Sequence, residues 1–283
     1  MSSHARAVGS KGARAVFPGW RMLGLAWVQG VVSPGIAQSG LSLFYLPLRR
    51  QLEVSSASMS LVFGLARVQQ GAGDLVVGRM VDRVGARPLI LWGGLVTGLG
   101  LVLLSFITSY WQLLLIFVGV VALARPAGHG TPLLSVANRW FTRRKALAMS
   151  IIMTSGSVGG AVILPLLALG ISHFGWRDTL RIGGAAIGLL SLLVAFFIRS
   201  RPEDIGLEPD GAALPGGKSS RRLPSSAAER DFTVRQSMKT RTFWFLMLGI
   251  AGRIVVSDAL AVHQIPLLVW KGKIGRASCR ERV

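Results

Sequence analysis

The feature that most constrains this chain is a series of apolar runs of about 20 residues or more, separated by short bursts of Lys and Arg. A helix rising 1.5 Å per residue needs about 20 apolar residues to cross a hydrocarbon core ~30 Å thick. The runs lie at Trp20–Leu48, Ala57–Met80, Pro88–Thr108, Trp111–Asn138, Ala146–Ser172, Thr179–Ile198 and Thr242–Trp270, and each predicts a membrane-spanning helix. The second is the most polar, with Arg67, Gln69, Gln70 and Asp74. Helices satisfy their own backbone hydrogen bonds in lipid, so the expected fold class is an all-α membrane protein.

The charge balance fits a bilayer better than a nucleic acid. Hydrophobic residues make up 51% of the 283, yet the net charge is +20. A nucleic-acid-binding domain gathers its basic residues on one folded face; here they fall between apolar runs. Lys and Arg are retained on the cytoplasmic side during insertion. With the N-terminus inside, the cytoplasmic segments hold Arg6, Lys11 and Arg14, then Arg79, Arg83 and Arg87, then Arg139, Arg143, Arg144 and Lys145, and finally the basic stretch from Arg199 to Arg241. The opposite side keeps Arg49, Arg50, Arg177 and Arg181. The first 19 residues are too polar for a cleavable signal peptide, so the first span is expected to act as its own insertion signal. The expected location is the inner (plasma) membrane, multi-pass, with a cytoplasmic N-terminus.

Chemistry is constrained as much by what is missing. The single cysteine, Cys279, allows no internal disulfide and no metal-site spacing. No phosphate-cradling Gly-x-x-x-x-Gly-Lys loop or nucleophile elbow occurs, so no cofactor, metal or enzymatic reaction is expected.

Between the second and third spans lies Gly78-Arg79-Met80-Val81-Asp82-Arg83-Val84-Gly85-Ala86-Arg87. It resembles the Gly-x-x-x-Asp-Arg-x-Gly-x-Arg loop of the major facilitator superfamily. The glycines would allow a tight turn and close helix approach, and the resemblance implies a cytoplasmic gating role for Gly78, Asp82, Arg83, Gly85 and Arg87. Trp140-Phe141-Thr142-Arg143-Arg144-Lys145-Ala146-Leu147-Ala148 resembles the start of the fifth helix in monocarboxylate-type and bacterial oxalate/formate-antiporter-like transporters. Gly175-Trp176-Arg177 and Arg201-Pro202-Glu203-Asp204-Ile205-Gly206-Leu207 extend that likeness. Phe17-Pro18-Gly19-Trp20 stands where animal monocarboxylate carriers show an acidic, Gly and Trp signature, and Ser150 where a glycine is usual.

The resemblance implies a major facilitator fold of two six-helix halves. Residues 1–198 are then the N-terminal six-helix domain, 199–241 a Pro-, Gly- and Ser-rich cytoplasmic linker, and 242–272 the seventh helix, which starts the C-terminal half. Ile274 to Val283 translates a reading frame resembling a widely used short-read sequencing adapter, so 273–283 reads as read-through. As a piece with one helix of its second half, the chain alone is not expected to transport.

An arginine inside a span costs about 2.5–3.5 kcal/mol on insertion scales unless it faces water or a partner, which makes Arg67, Arg125 and Arg253 functional candidates. The family resemblance implies that the first, fourth and seventh helices line the central cavity while the third and sixth lie outside. Arg125 and Arg253 are therefore the expected anion-binding residues. Pro126, Gly128, Gly130 and Pro132 should break the fourth helix near mid-membrane. His129 shares a face with Arg125 if the helix persists, and its ordinary pKa suits proton coupling, so H+ is the candidate coupling ion. His263, beside Gln264, is a further substrate-binding candidate. Arg67 and Asp74 share a face two turns apart and are read as gating or structural. Pro34-Gly35 with Ser33, Gln38 and Ser39 predicts an irregular first span, and Gly156 with Gly160 predicts close helix packing on the fifth.

The expected function is secondary active transport of a small organic anion such as a monocarboxylate, by alternating access. A non-transporting sensor of the same fold, or a drug or metabolite exporter, are the alternatives. The expected partners are the lipid bilayer and the anionic substrate, not nucleic acid; the oligomeric state is left open.

Overall fold

The computed structural model describes residues 18–199, 236, 238–253 and 256, in two compact units divided between Lys218 and Ser219. In the first unit the rods follow the apolar runs. The first is α1 (Pro18–Pro34), a π-helical segment (Gly35–Ser39) and α2 (Leu41–Leu52). The widening falls on Pro34-Gly35, where proline withholds a backbone donor, as the sequence predicts. The second rod is the unbroken α3 (Ser56–Val84), whose N-terminus is capped by Ser55 Oγ accepting from the Ser58 amide at 3.1 Å. Its internal charges do not interrupt it.

The third rod is α4 (Ala86–Leu104). The fourth is built from α5 (Tyr110–Leu114), a π-helical segment (Leu115–Ala122), α6 (Leu123–Gly128) and α7 (Thr131–Trp140). α8 (Lys145–Phe197) is two helices meeting at a kink, where Gly175 at φ 80° and ψ 166° separates the fifth rod from the sixth. Ala86–Leu104, Tyr110–Trp140 and Lys145–Phe197 are apolar and long enough to cross a membrane.

Two apolar clusters close the bundle at its ends. Ile36, Phe44, Met59, Leu101, Leu113, Phe117, Leu180 and Ile187 form one; Leu23, Ile90, Leu133, Trp140, Ile152 and Val194 form the other. Between them every rod but the second contributes a buried polar side chain: Gln29 and Ser33, Thr97, Arg125 and His129, Ser155, and Ser191. Gln29 ties this belt together. Its Nε2 donates to Ser33 Oγ (3.0 Å), Ser191 Oγ (2.8 Å) and the Gly128 carbonyl (3.4 Å), joining the first, fourth and sixth rods. The third and fourth rods meet at Gly93 and Gly128, where a Cβ on Gly93 would overlap the backbone of Ala127 and Gly128.

The basic clusters separate to opposite ends. Arg139 donates to the Val81 carbonyl, Arg87 to Ala195 and Trp140 Nε1 to Arg199, which gathers the Arg79–Arg87 loop with the Arg139 and Arg199 segments. At the other end Tyr110 reaches Ser58, Arg177 reaches Ile107 and Arg181 reaches Ser105.

Close packing on the fifth rod differs from expectation. A Cβ on Gly156 would meet nothing within 4 Å and one on Gly160 would touch Ser39 Oγ at 3.5 Å, whereas one on Gly159 would run into the Val31 carbonyl. Gly156 instead lines a cavity, because a small-residue spacing marks a thin face without saying what approaches it.

In the second unit the described residues 241–253 are helical, overlapping the expected seventh span from Thr242, and Trp244 Nε1 donates to the Met238 carbonyl at 3.0 Å. The remainder of that span, His263, residues 1–17, the Arg201–Leu207 run and the 273–283 tail lie outside the described residues.

Candidate functional site

The site is assembled where the fourth rod breaks. Pro126 lacks a backbone N–H, α6 stops at Gly128, and His129 is extended at φ −155° and ψ −170°. Gly130 then takes φ 71° and ψ −117°, a conformation that disfavours any residue with a Cβ, before Thr131 and Pro132 restart the helix. The freed Gly128 carbonyl is taken up by Gln29. The predicted break in the fourth helix is therefore present, and it alters the expected geometry. Since the helix does not persist through His129, the i+4 face shared with Arg125 does not form, and the two side chains line neighbouring cavities.

Arg125 is 5% exposed, and its Nε is buried without a hydrogen-bond partner. It opens on a 500 Å³ cavity lined by polar Gln38, Ser42, Ser60 and Arg67 and by apolar Leu41, Tyr45, Phe63 and Phe117. Phe63 lies between Tyr45 and Phe117, with ring centroids 5.9 and 5.2 Å apart, so one wall is a continuous aromatic face. Among the described residues the ion pairs within 4.0 Å are Arg139–Asp82 and Arg181–Asp178; neither involves Arg67 or Arg125. Two guanidinium groups without a carboxylate in contact make an anion-attracting pocket with an apolar side.

The second cavity, 420 Å³, is lined by Gln38, Gln70, Asp74, His129, Ser155 and Gly156 among others. Both ring nitrogens of His129 are buried and unpartnered. Gln38 is common to both cavities, and Arg125 interacts electrostatically with Arg67, Asp74 and His129. Neither cavity is lined by α4 or by residues beyond Gly175.

Arg67 and Asp74, read as gating or structural, both line the cavities, as do Ser60, Phe63 and Gln70. Helical period shows that Arg67 and Asp74 share a face; it cannot show that this face meets the broken fourth rod. Gln29 was also missed, though a glutamine within an apolar run is a signal that could have found it.

In the Gly78–Arg87 loop, Gly85 links α3 to α4 at φ 91° and ψ 171°, the tight turn that the motif predicts. Gly78 has nothing within 4 Å of an added Cβ, so among the described residues it serves no close approach. Arg87 Nε holds the Ala195 carbonyl at 2.7 Å, and Asp82 lies 3.8 Å from Arg139, a residue outside the motif. Arg83 is exposed. Arg253 is helical and exposed in the second unit.

Monocarboxylate transporter 13 of Bos taurus is 29% identical over 192 residues, 68% of this chain and 44% of that protein. Monocarboxylate transporter 11 of Mus musculus is 33% identical over 172 residues, 59% of this chain and 37% of its own length. The Fujikurins efflux protein of Gibberella fujikuroi is 30% identical over 200 residues, 70% and 42% respectively. The chain thus spans less than half the length of these relatives. A crystal structure of a bacterial homolog of the human lysosomal transporter Spinster, inward-facing and unoccupied, matches with a TM-score of 0.64 and 22% identity, over 92% of this chain and 56% of that one. The Major Facilitator Superfamily profile matches residues 29–269. With the all-helical bundle and its apolar spans, this makes the chain a multi-pass membrane protein that belongs to the major facilitator superfamily, a family of transporters and not of enzymes.

Proposed function

We propose that this chain belongs to a secondary carrier for a small organic anion such as a monocarboxylate, working by alternating access, with Arg125 as the anion-binding group and Arg67 beside it. The observation that carries the reading is the buried Arg125 guanidinium, with an unpartnered Nε, opening on the 500 Å³ cavity that Arg67 also lines. A buried arginine is costly in a bilayer unless it meets an anion or water, and this cavity admits either. The relatives named monocarboxylate transporters support the substrate class.

In this reading residues 1–198 form the first six-helix half, 199–241 the cytoplasmic linker and 242–272 the first helix of the second half, and 273–283 is read-through. The N-terminus and the Gly78–Arg87 gate are cytoplasmic in the plasma membrane. Arg253 and His263 are further candidate substrate-binding residues, and His129 is the group through which H+ would be coupled. A second reading, export of a larger amphipathic acid, is favoured by the aromatic wall of Tyr45, Phe63 and Phe117 and by the efflux relative.

The test is uptake of labelled butyrate by the complete gene product of the locus, reconstituted in liposomes. Arg125→Ala should abolish saturable uptake while the protein still inserts. Wild-type rates in that variant would overturn the assignment, and loading of inverted vesicles alone would favour export.

A further inference from the structure

Four charged or titratable side chains line the two cavities, Arg67 and Arg125 in one and Asp74 and His129 in the other, and Asp74 has the sign opposite to an anion receptor. Asp74 lines the His129 cavity, with Gln70 one turn before it on α3 and Gln38 shared with the arginine cavity. It interacts electrostatically with Arg125, although no ion pair within 4.0 Å joins them. A carboxylate that only completed a salt bridge would close on its partner; this one leaves the guanidinium open and adds negative potential from the neighbouring cavity.

We infer that Asp74 is a specificity-determining residue that restricts the site to monovalent anions with an apolar body. The inference rests on the anion-carrier reading above. A carboxylate held by Arg125 and Arg67 feels Asp74 once, but a dicarboxylate feels it through both of its charges, so the repulsion falls harder on the dianion. The aromatic side of the arginine cavity offers a second charge no cationic partner, since Leu41, Tyr45, Phe63 and Phe117 form that wall. Burying a carboxylate there without a partner is costly, whereas an alkyl or ring-bearing body is welcome. Repulsion on one side and an apolar wall on the other converge on the same substrate class.

Butyrate and succinate have the same four-carbon chain and differ by one carboxylate, so their ratio as competitors isolates the effect. With the complete gene product in liposomes, each unlabelled acid competes against labelled butyrate. The wild type should prefer butyrate by tenfold or more. Asp74→Asn, which keeps size and hydrogen bonding, should narrow that preference about tenfold. Gln70→Glu, which adds a carboxylate to the same cavity, should widen it. An unchanged ratio in Asp74→Asn, a narrowed ratio in Gln70→Glu, or a wild type that prefers succinate overturns the inference while leaving the carrier reading intact. If Asp74→Asn does not accumulate, the Gln70→Glu ratio decides alone. Absence of saturable uptake of either acid by the wild type removes the carrier reading and this inference together.

Discussion

Replacing Gly93 by alanine puts a methyl group where the third and fourth rods cross backbone to backbone. The new Cβ would overlap the Gly128 nitrogen and the Ala127 carbonyl carbon and lie 2.7 Å from Gly128 Cα. No rotamer change relieves this contact, because the obstacle is main chain on both sides; the rods must part. Overpacking a close-packed interior costs about 1–3 kcal/mol, and a backbone obstacle belongs at the upper end. Alanine recovers at most about 1 kcal/mol of helix propensity relative to glycine. The net expectation is a loss of about 2 kcal/mol. Parting the rods also stretches the 3.4 Å contact from Gln29 to the Gly128 carbonyl, next to the break that positions His129. Gly78→Ala is the matched control, since a Cβ there meets nothing within 4 Å and only the propensity gain applies. Thermal unfolding in a mild detergent, followed by tryptophan fluorescence and circular dichroism, compares them directly. Gly93→Ala should melt several degrees below wild type and Gly78→Ala at or above it. Equal midpoints for the two variants would refute the crossing geometry.

Gln29→Leu should lower the melting midpoint as well, by the equivalent of about 1–3 kcal/mol, because it strands the buried Gly128 carbonyl and removes the bonds to Ser33 and Ser191; an unchanged midpoint would deny the amide its place as the hub of the belt. In intact cells, a membrane-impermeant thiol reagent should label a cysteine at Arg49 and spare one at Lys218, and the reverse pattern would invert the orientation.

Much of the fold is legible in single helices read one at a time. The lengths of the apolar runs set the spans, since a bilayer of fixed thickness demands a minimum number of apolar residues. Pro34-Gly35 and the Pro126–Gly130 stretch announce breaks because a missing N–H and a missing Cβ act locally, whatever surrounds them. The exposed basic bursts sort the two ends of the bundle on the same terms. What the sequence does not contain is the identity of the neighbour. Arg67 and Asp74 visibly share one face of α3, but only the packing of α3 against the broken fourth rod makes that face a wall of two neighbouring cavities. Gly156 has the spacing of a packing glycine, yet Gly159 takes the contact, because the crossing point depends on where Val31 of the first rod arrives. His129 leaves the Arg125 face because one residue of extended backbone at the break reorients everything that follows. A helical period is a property of one chain segment, whereas a site is a property of several segments meeting, and their meeting is decided by packing.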